Sequence, residues 1–184
     1  MEVEVKARVE NLEDVKKKLV ELGVQFSGSV SHNDRYFKPK GFDQRVQGPG
    51  DYIVRIRKEG NNHILTTKAL TEIMGAWIEH ETEIDNPGEM EKMLLMLGLV
   101  NVFDLNKTRE VGRLGEFEVL LDDVKELGKF IEVALDSEEG KKEENRKRII
   151  EFFSKIGLKE EALEKRGYGE LIGEQLGHKF GGMR

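Results

Sequence analysis

From its first residue the chain alternates. Met1, Val3, Val5, Ala7 and Val9 form one row and Glu2, Glu4, Lys6, Arg8 and Glu10 the other, the two-residue period of a β-strand with one apolar and one charged face. The period then lengthens: Asn11 is a good helix N-cap, and Leu12, Val15, Leu19 and Leu22 follow helical spacing up to Gly23 as terminator. Residues 24–37 read as extended and 38–51 as a Gly- and Pro-bearing loop, while YIVRIRKE and HILTTKAL form a hairpin turned at Glu59-Gly60-Asn61-Asn62. WIEHETEI is a second charged strand, with Trp77, Glu79, Glu81 and Glu83 on one side, and Asn86-Pro87 opens a helix that ends at Gly98. Strands follow near 99–111 and 116–124, then KFIEVAL at 129–135. Ser137 is placed to cap a long polar helix ending at Gly157, a helical tail runs from about 159 to 176, and 177–184 reads as a disordered tail.

The first half is partly repeated. A shift of 75 positions aligns Glu4 with Glu79, Asn11 with Asn86, Leu19 with Leu94, Leu22 with Leu97 and Gly23 with Gly98, which predicts two pseudo-symmetric halves. Seven to nine strands, mostly hairpin-connected, with helices outside them predict an α+β fold. Its sheet is expected to close as an antiparallel barrel of about eight strands, in a single domain over 1–176.

Composition narrows the chemistry. The 184 residues are 38% hydrophobic and 36% charged, enough for one sizeable core, and the chain has no cysteine, which excludes disulfides and thiolate metal sites and points to a cytoplasmic location. A net charge of -6 argues against general nucleic-acid binding. No stretch resembles a signal peptide or a membrane span.

Charged same-face positions recur on strand after strand: Glu2, Glu4 and Lys6; Arg55 and Arg57; Lys68; Lys107 and Arg109; Glu118 and Asp122; Glu132. A solvated outer surface accounts for any one of them. A closed barrel offers the alternative that apolar rows face the helices while charged rows line a watery interior. Clustered Arg and Lys then suit a polyanion such as a phosphate chain, and carboxylates without His or Cys partners suit a hard ion such as Mg2+ or Mn2+. His32, His63, His80 and His178 lack metal-ligand spacing, and neither a GxxxxGK[ST] loop nor a serine nucleophile elbow is present.

The opening EVEVK resembles the ExExK signature of the CYTH superfamily, the triphosphate tunnel metalloenzymes, which include class IV adenylyl cyclases and thiamine triphosphatases. Further similar blocks follow in order: HNDRYF, VRIR, LTTK, ETE, NKTRE, LLDDV, LGKFIEV and KRGYGELI, covering residues 2 to about 172. The resemblance implies a β-tunnel in which Glu2, Glu4, Asp122 and Glu132 face a divalent metal, Mg2+ or Mn2+. It implies that Lys6, Arg55, Arg57, Lys68, Lys107 and Arg109 grip a triphosphate, with Lys6 and Arg57 the catalytic pair. DRYFKP is similar to the cyclase branch, with Lys38 where that branch usually carries His. The family's paired acids read Glu132-Val133-Ala134 here, so the second is absent, and Asp136 lies about 6.6 Å further along the same face. The implied activity is conversion of ATP to cyclic AMP and pyrophosphate, the alternatives being hydrolysis of an inorganic or organic triphosphate or non-catalytic polyphosphate binding. A homodimer is the assembly the cyclase branch suggests.

Overall fold

The computed structural model describes residues 2–44, 48–70, 77–136 and 140–177. In chain order the elements are β1 (Glu2–Val9), α1 (Leu12–Glu21), β2 (Gln25–Pro39), β3 (Tyr52–Glu59), β4 (Asn62–Leu70), β5 (Trp77–Glu83), α2 (Pro87–Met96), β6 (Leu99–Leu114), β7 (Phe117–Val124), β8 (Gly128–Asp136), α3 (Lys142–Lys155), β9 (Leu163–Glu164) and α4 (Tyr168–Gln175). They fall into two compact units, Met1–Val30 with Lys107–Arg166 and Ser31–Asn106 with Gly167–Arg184.

In the first unit hydrogen-bonded neighbours run β2-β6-β7-β8-β1-β9. The row Val5, Ala7 and Val9 is buried with Val119 and Leu121 of β7 and Ile131, Val133 and Leu135 of β8, under Leu19 of α1 and Ile149, Phe152 and Phe153 of α3. Alternation supplies the sheet side of this core, and the 3.6-residue period supplies the helix side. Gly112 is a tight point: a Cβ there would lie 2.8 Å from Val24 Cγ1 and 2.9 Å from Phe26 Cδ1. Gly112→Ala is therefore expected to lose about 1–3 kcal/mol of stability in chemical denaturation, the overpacking cost outweighing the chain-entropy gain of removing a glycine; a variant as stable as the parent refutes this close packing.

In the second unit the order is β5-β4-β3-β2-β6, with Phe37, Val54, Ile56 and Leu99 buried together with Leu94 of α2. Both early helices start and stop as the sequence predicts. Asn11 accepts from Glu13 N at 2.9 Å and Asn86 from Glu89 N at 3.1 Å, and each helix is followed by a glycine of positive φ, Gly23 at 98° and Gly98 at 87°. The internal repeat is thus present as β1-α1-β2-β3-β4 and β5-α2-β6-β7-β8.

Several expectations are corrected. β2 continues through Lys38 to Pro39, into the stretch expected to be loop, followed by a 3-10 turn at Phe42–Gln44. The tail expected as one helix is a 3-10 turn at Glu160–Ala162, a two-residue strand and the short α4, because Leu163 and Glu164 pair with Ala7 and Lys6 on the open edge of β1. Ser137 and residues 178–184 lie outside the described residues, and α3 begins only at Lys142. The antiparallel α+β architecture is present, but hydrogen bonds among the described residues do not close the sheet: β9 and β5 each have one neighbour. Among those residues no helix is long and apolar enough to cross a membrane.

Candidate active site

The charged rows divide: Glu4, Glu79, Glu81 and Glu83 are exposed, whereas Lys6, Lys107, Asp122 and Glu132 are buried. In the first unit, register sets Lys6 opposite Glu132 across β1 and β8, and Arg109 opposite Asp122 across β6 and β7, so four strands deliver one cluster. Arg109 donates through Nε to Asp122 Oδ1 at 2.7 Å and through Nη2 to Asp122 Oδ2 and to Glu132 Oε2, both at 2.5 Å. Lys107 Nζ donates to Asp122 Oδ2 at 3.1 Å, and Lys6 Nζ lies 3.4 Å from Glu132 Oε1. Asp122 is 0% exposed, and Lys6, Lys107 and Glu132 are buried as well. Charges this far from water persist only when paired, and the pairing here sets three cations against two carboxylates. The row is not purely ionic, since Leu120 and Phe130 share the parity of Asp122 and Glu132 and are buried among them.

Glu4 occupies the same face of β1, two residues before Lys6, and is exposed; its partner across β8 is Ala134, which also faces Glu118 of β7. Glu2 is in register with Asp136.

The second unit holds a second cluster. Arg57 donates through Nε and Nη2 to Asp34 Oδ1 and Oδ2, each at 2.7 Å, and Asp34 is 1% exposed. Arg55 Nη2 reaches Thr66 Oγ1 at 2.8 Å and Glu81 Oε2 at 3.4 Å, while Thr66 donates to the same Glu81 oxygen at 2.9 Å. Lys68 meets Glu79 at 3.0 Å in a half-exposed pair. Tyr36 lies on the Asp34 side of β2, its ring centroid 4.7 Å from that of Phe103; burial, reinforced by the Asp34 charge, pushes its phenol above the usual range. Lys38, two residues on, is buried 5.1 Å from the Phe42 ring centroid, and burial pulls its ammonium down to about 8 against the opposing pull of Asp51 and Glu170.

Lys6, Lys107 and Arg109 thus lie in the first cluster with Asp122 and Glu132, Arg55 and Arg57 lie in the second, and Lys68 is in its half-exposed pair with Glu79. Asp34 and Thr66 went unassigned in the sequence reading, although alternation along HNDRYFKP puts His32, Asp34, Tyr36 and Lys38 on one face. His32 is buried, with Nε2 2.7 Å from Glu59 Oε2.

Oxygen donors alone are on offer for a metal, which suits a hard divalent ion. Among the described residues no group of three or more His, Asp or Glu could hold one. A magnesium-type ion fits such a site through one or two carboxylates, with substrate phosphate and water completing its shell.

Comparison with known proteins finds relatives over nearly the whole chain. The model of the CYTH domain matches residues 1–168. A protein of Methanocaldococcus jannaschii named as a candidate adenylate cyclase is 27% identical over 176 residues, 94% of this chain and 99% of its own. The structure of a Pyrococcus horikoshii protein superposes with a TM-score of 0.77 at 29% identity, covering 93% of this chain and 99% of that one. A Hippeastrum protein, described as a candidate adenylyl cyclase with a dominant triphosphatase activity, shares the fold with a TM-score of 0.66 at 18% identity, covering 98% of both chains.

Proposed function

This chain belongs to the CYTH domain family, and from that premise we propose that it is a metal-dependent enzyme that binds a triphosphate and converts ATP to cyclic AMP and pyrophosphate. The observation that carries the reading is the presence of Lys6, Lys107, Arg55 and Arg57 on strand faces largely withdrawn from water, each beside carboxylate or hydroxyl partners that hold it in place. The architecture proposed with it is the family's closed antiparallel tunnel, with these rows lining the bore.

Binding falls to the basic residues. Arg55, Arg57, Lys68, Lys107 and Arg109 neutralise the phosphate oxygens, and Lys6 and Arg57 stabilise the charge that gathers on the departing pyrophosphate. The ribose 3′ hydroxyl releases its proton to solvent as its oxygen bonds to the α-phosphorus, in line with the α–β bridging oxygen that leaves with pyrophosphate, so alignment of the chain of phosphates is the main contribution of the protein. Glu2 and Glu4 would hold Mg2+ or Mn2+, with substrate phosphate and water completing the shell, and the ion when bound supplies further neutralisation of phosphate charge.

The test is product analysis after incubation with ATP, or with tripolyphosphate, and Mg2+ or Mn2+. Cyclic AMP with pyrophosphate supports the proposal. Orthophosphate release without cyclic AMP replaces the cyclase with a triphosphate hydrolase, and tight binding without turnover replaces it with a binding protein. Arg57→Ala is expected to weaken triphosphate affinity about tenfold or more in calorimetric titration; unchanged affinity removes Arg57 from the binding set.

A further inference from the structure

We propose that Asp34 and Asp122 are positioning residues that hold Arg57 and Arg109 for the triphosphate, and that Asp122 is not a ligand of the divalent cation; this rests on the reading above that the site takes a metal and a triphosphate. The sequence resemblance grouped Asp122 with the metal carboxylates. Its surroundings point elsewhere.

The same rung is built twice. On β2 and β3, Asp34 and Arg57 are register partners, and on β6 and β7, Arg109 and Asp122 are register partners. In both, Nε and Nη2 of the guanidinium meet the two oxygens of one carboxylate, at 2.7 and 2.7 Å in the first rung and at 2.7 and 2.5 Å in the second. The acid and base have exchanged strands between the repeats. Asp34 and Arg109, which occupy corresponding positions 75 residues apart, carry opposite charges, yet the fork is preserved. A geometry that survives charge exchange is an orientation device: two parallel N–H···O bonds fix the plane of a guanidinium, which a single contact does not.

Asp122 is also poorly suited to a metal. Its oxygens already accept from Arg109 twice and from Lys107 once, and the group is 0% exposed. An ion bound at a magnesium-like distance of about 2.0–2.1 Å would add two positive charges to a carboxylate already in contact with two cations, in a low-dielectric setting where that repulsion is strong. Asp34 makes the same point without a metal in view, since its fork serves Arg57 in a set of strands where no metal carboxylate was expected. Glu4 is exposed on β1, in register with Ala134 of β8.

Binding of Mn2+ alone, followed by electron paramagnetic resonance of the free ion, and of tripolyphosphate, followed by calorimetry, separates the roles. Asp122→Asn and Asp34→Asn are expected to keep Mn2+ affinity within about twofold of the parent and to lose about tenfold or more in tripolyphosphate affinity, whereas Glu4→Gln loses Mn2+ affinity. Because Asp122 is buried and its variant can fail to fold, a second measurement uses the unaltered protein: the side-chain Nε–H signals of Arg57 and Arg109 in nuclear magnetic resonance stay protected from exchange on saturation with Mg2+. A tenfold drop in Mn2+ affinity for Asp122→Asn, or loss of the Arg109 signal on adding Mg2+, makes Asp122 a metal ligand and overturns the proposal. So does unchanged tripolyphosphate affinity in both Asn variants. If the parent protein binds no tripolyphosphate, the functional reading itself falls first.

Discussion

Glu4→Gln is expected to reduce metal-dependent turnover by about a hundredfold or more while leaving the fold intact. Position and chemistry combine in this result. Glu4 belongs to the charged row of β1, two residues from the buried Lys6, and its rung partner across β8 is an alanine, so no second carboxylate stands directly opposite it to take over its role. The amide keeps the size of the carboxylate and removes its charge, which weakens the hold on a hard cation without opening a cavity. Since Glu4 is exposed, stability should stay within about 0.5 kcal/mol of the parent, as judged by denaturant titration. Raising the Mn2+ concentration should restore part of the lost rate, because the defect lies in metal affinity and not in phosphate contacts. Undiminished turnover at the metal concentration that half-saturates the parent would take the first strand out of the site, and a collapsed denaturation curve would show that Glu4 serves the fold.

Local chemistry was what the sequence could display. The caps Asn11 and Asn86 and the terminators Gly23 and Gly98 are read within a few residues of the bonds they make, and they appear as expected. The alternation of β1, β7 and β8 likewise separates the core positions Val5, Val119 and Val133 from the charged positions Lys6, Asp122 and Glu132. What alternation cannot give is the full register, because a slip of two residues keeps every side chain on its own face. The fork between Asp34 and Arg57 depends on that register, so Asp34 could be placed on a face but not paired. The end of the chain failed for a related reason. Leu163 and Glu164 become a strand only because β1 has an open edge, a condition no local pattern encodes. Lys38 was assigned to a loop by the glycines and prolines after it, yet β2 carries it to a buried position.

That burial makes the stability of the protein depend on the charge of Lys38. Phe42 covers its ammonium, Asp51 and Glu170 are the acids that act on it, and a cavity of about 70 Å3 lies beside it, lined also by Tyr52. Desolvation prevails over both acids and lowers its pKa from 10.5 to about 8. Below about pH 8 the lysine is charged in folded and unfolded chains alike, and the folded state carries the whole cost of burying it. Between about 8 and 10.5 the unfolded chain binds a proton that the folded chain does not, so the Lys38 contribution to stability rises with pH across that window and levels off above it. At about 1.4 kcal/mol per pKa unit, and with solvent screening part of the shift, the penalty at neutral pH is on the order of 1–3 kcal/mol. Lys38→Met, similar in length and unable to ionise, should therefore be the more stable protein at pH 7, and its advantage should shrink steadily toward pH 10. The comparison must be made as a difference between the two proteins, because Tyr36, with its raised pKa, makes folded chains of both lose stability at the alkaline end. A difference that stays flat from pH 7 to 10, or a methionine variant less stable at pH 7, would mean that Lys38 keeps its proton through contacts stronger than the desolvation that opposes them.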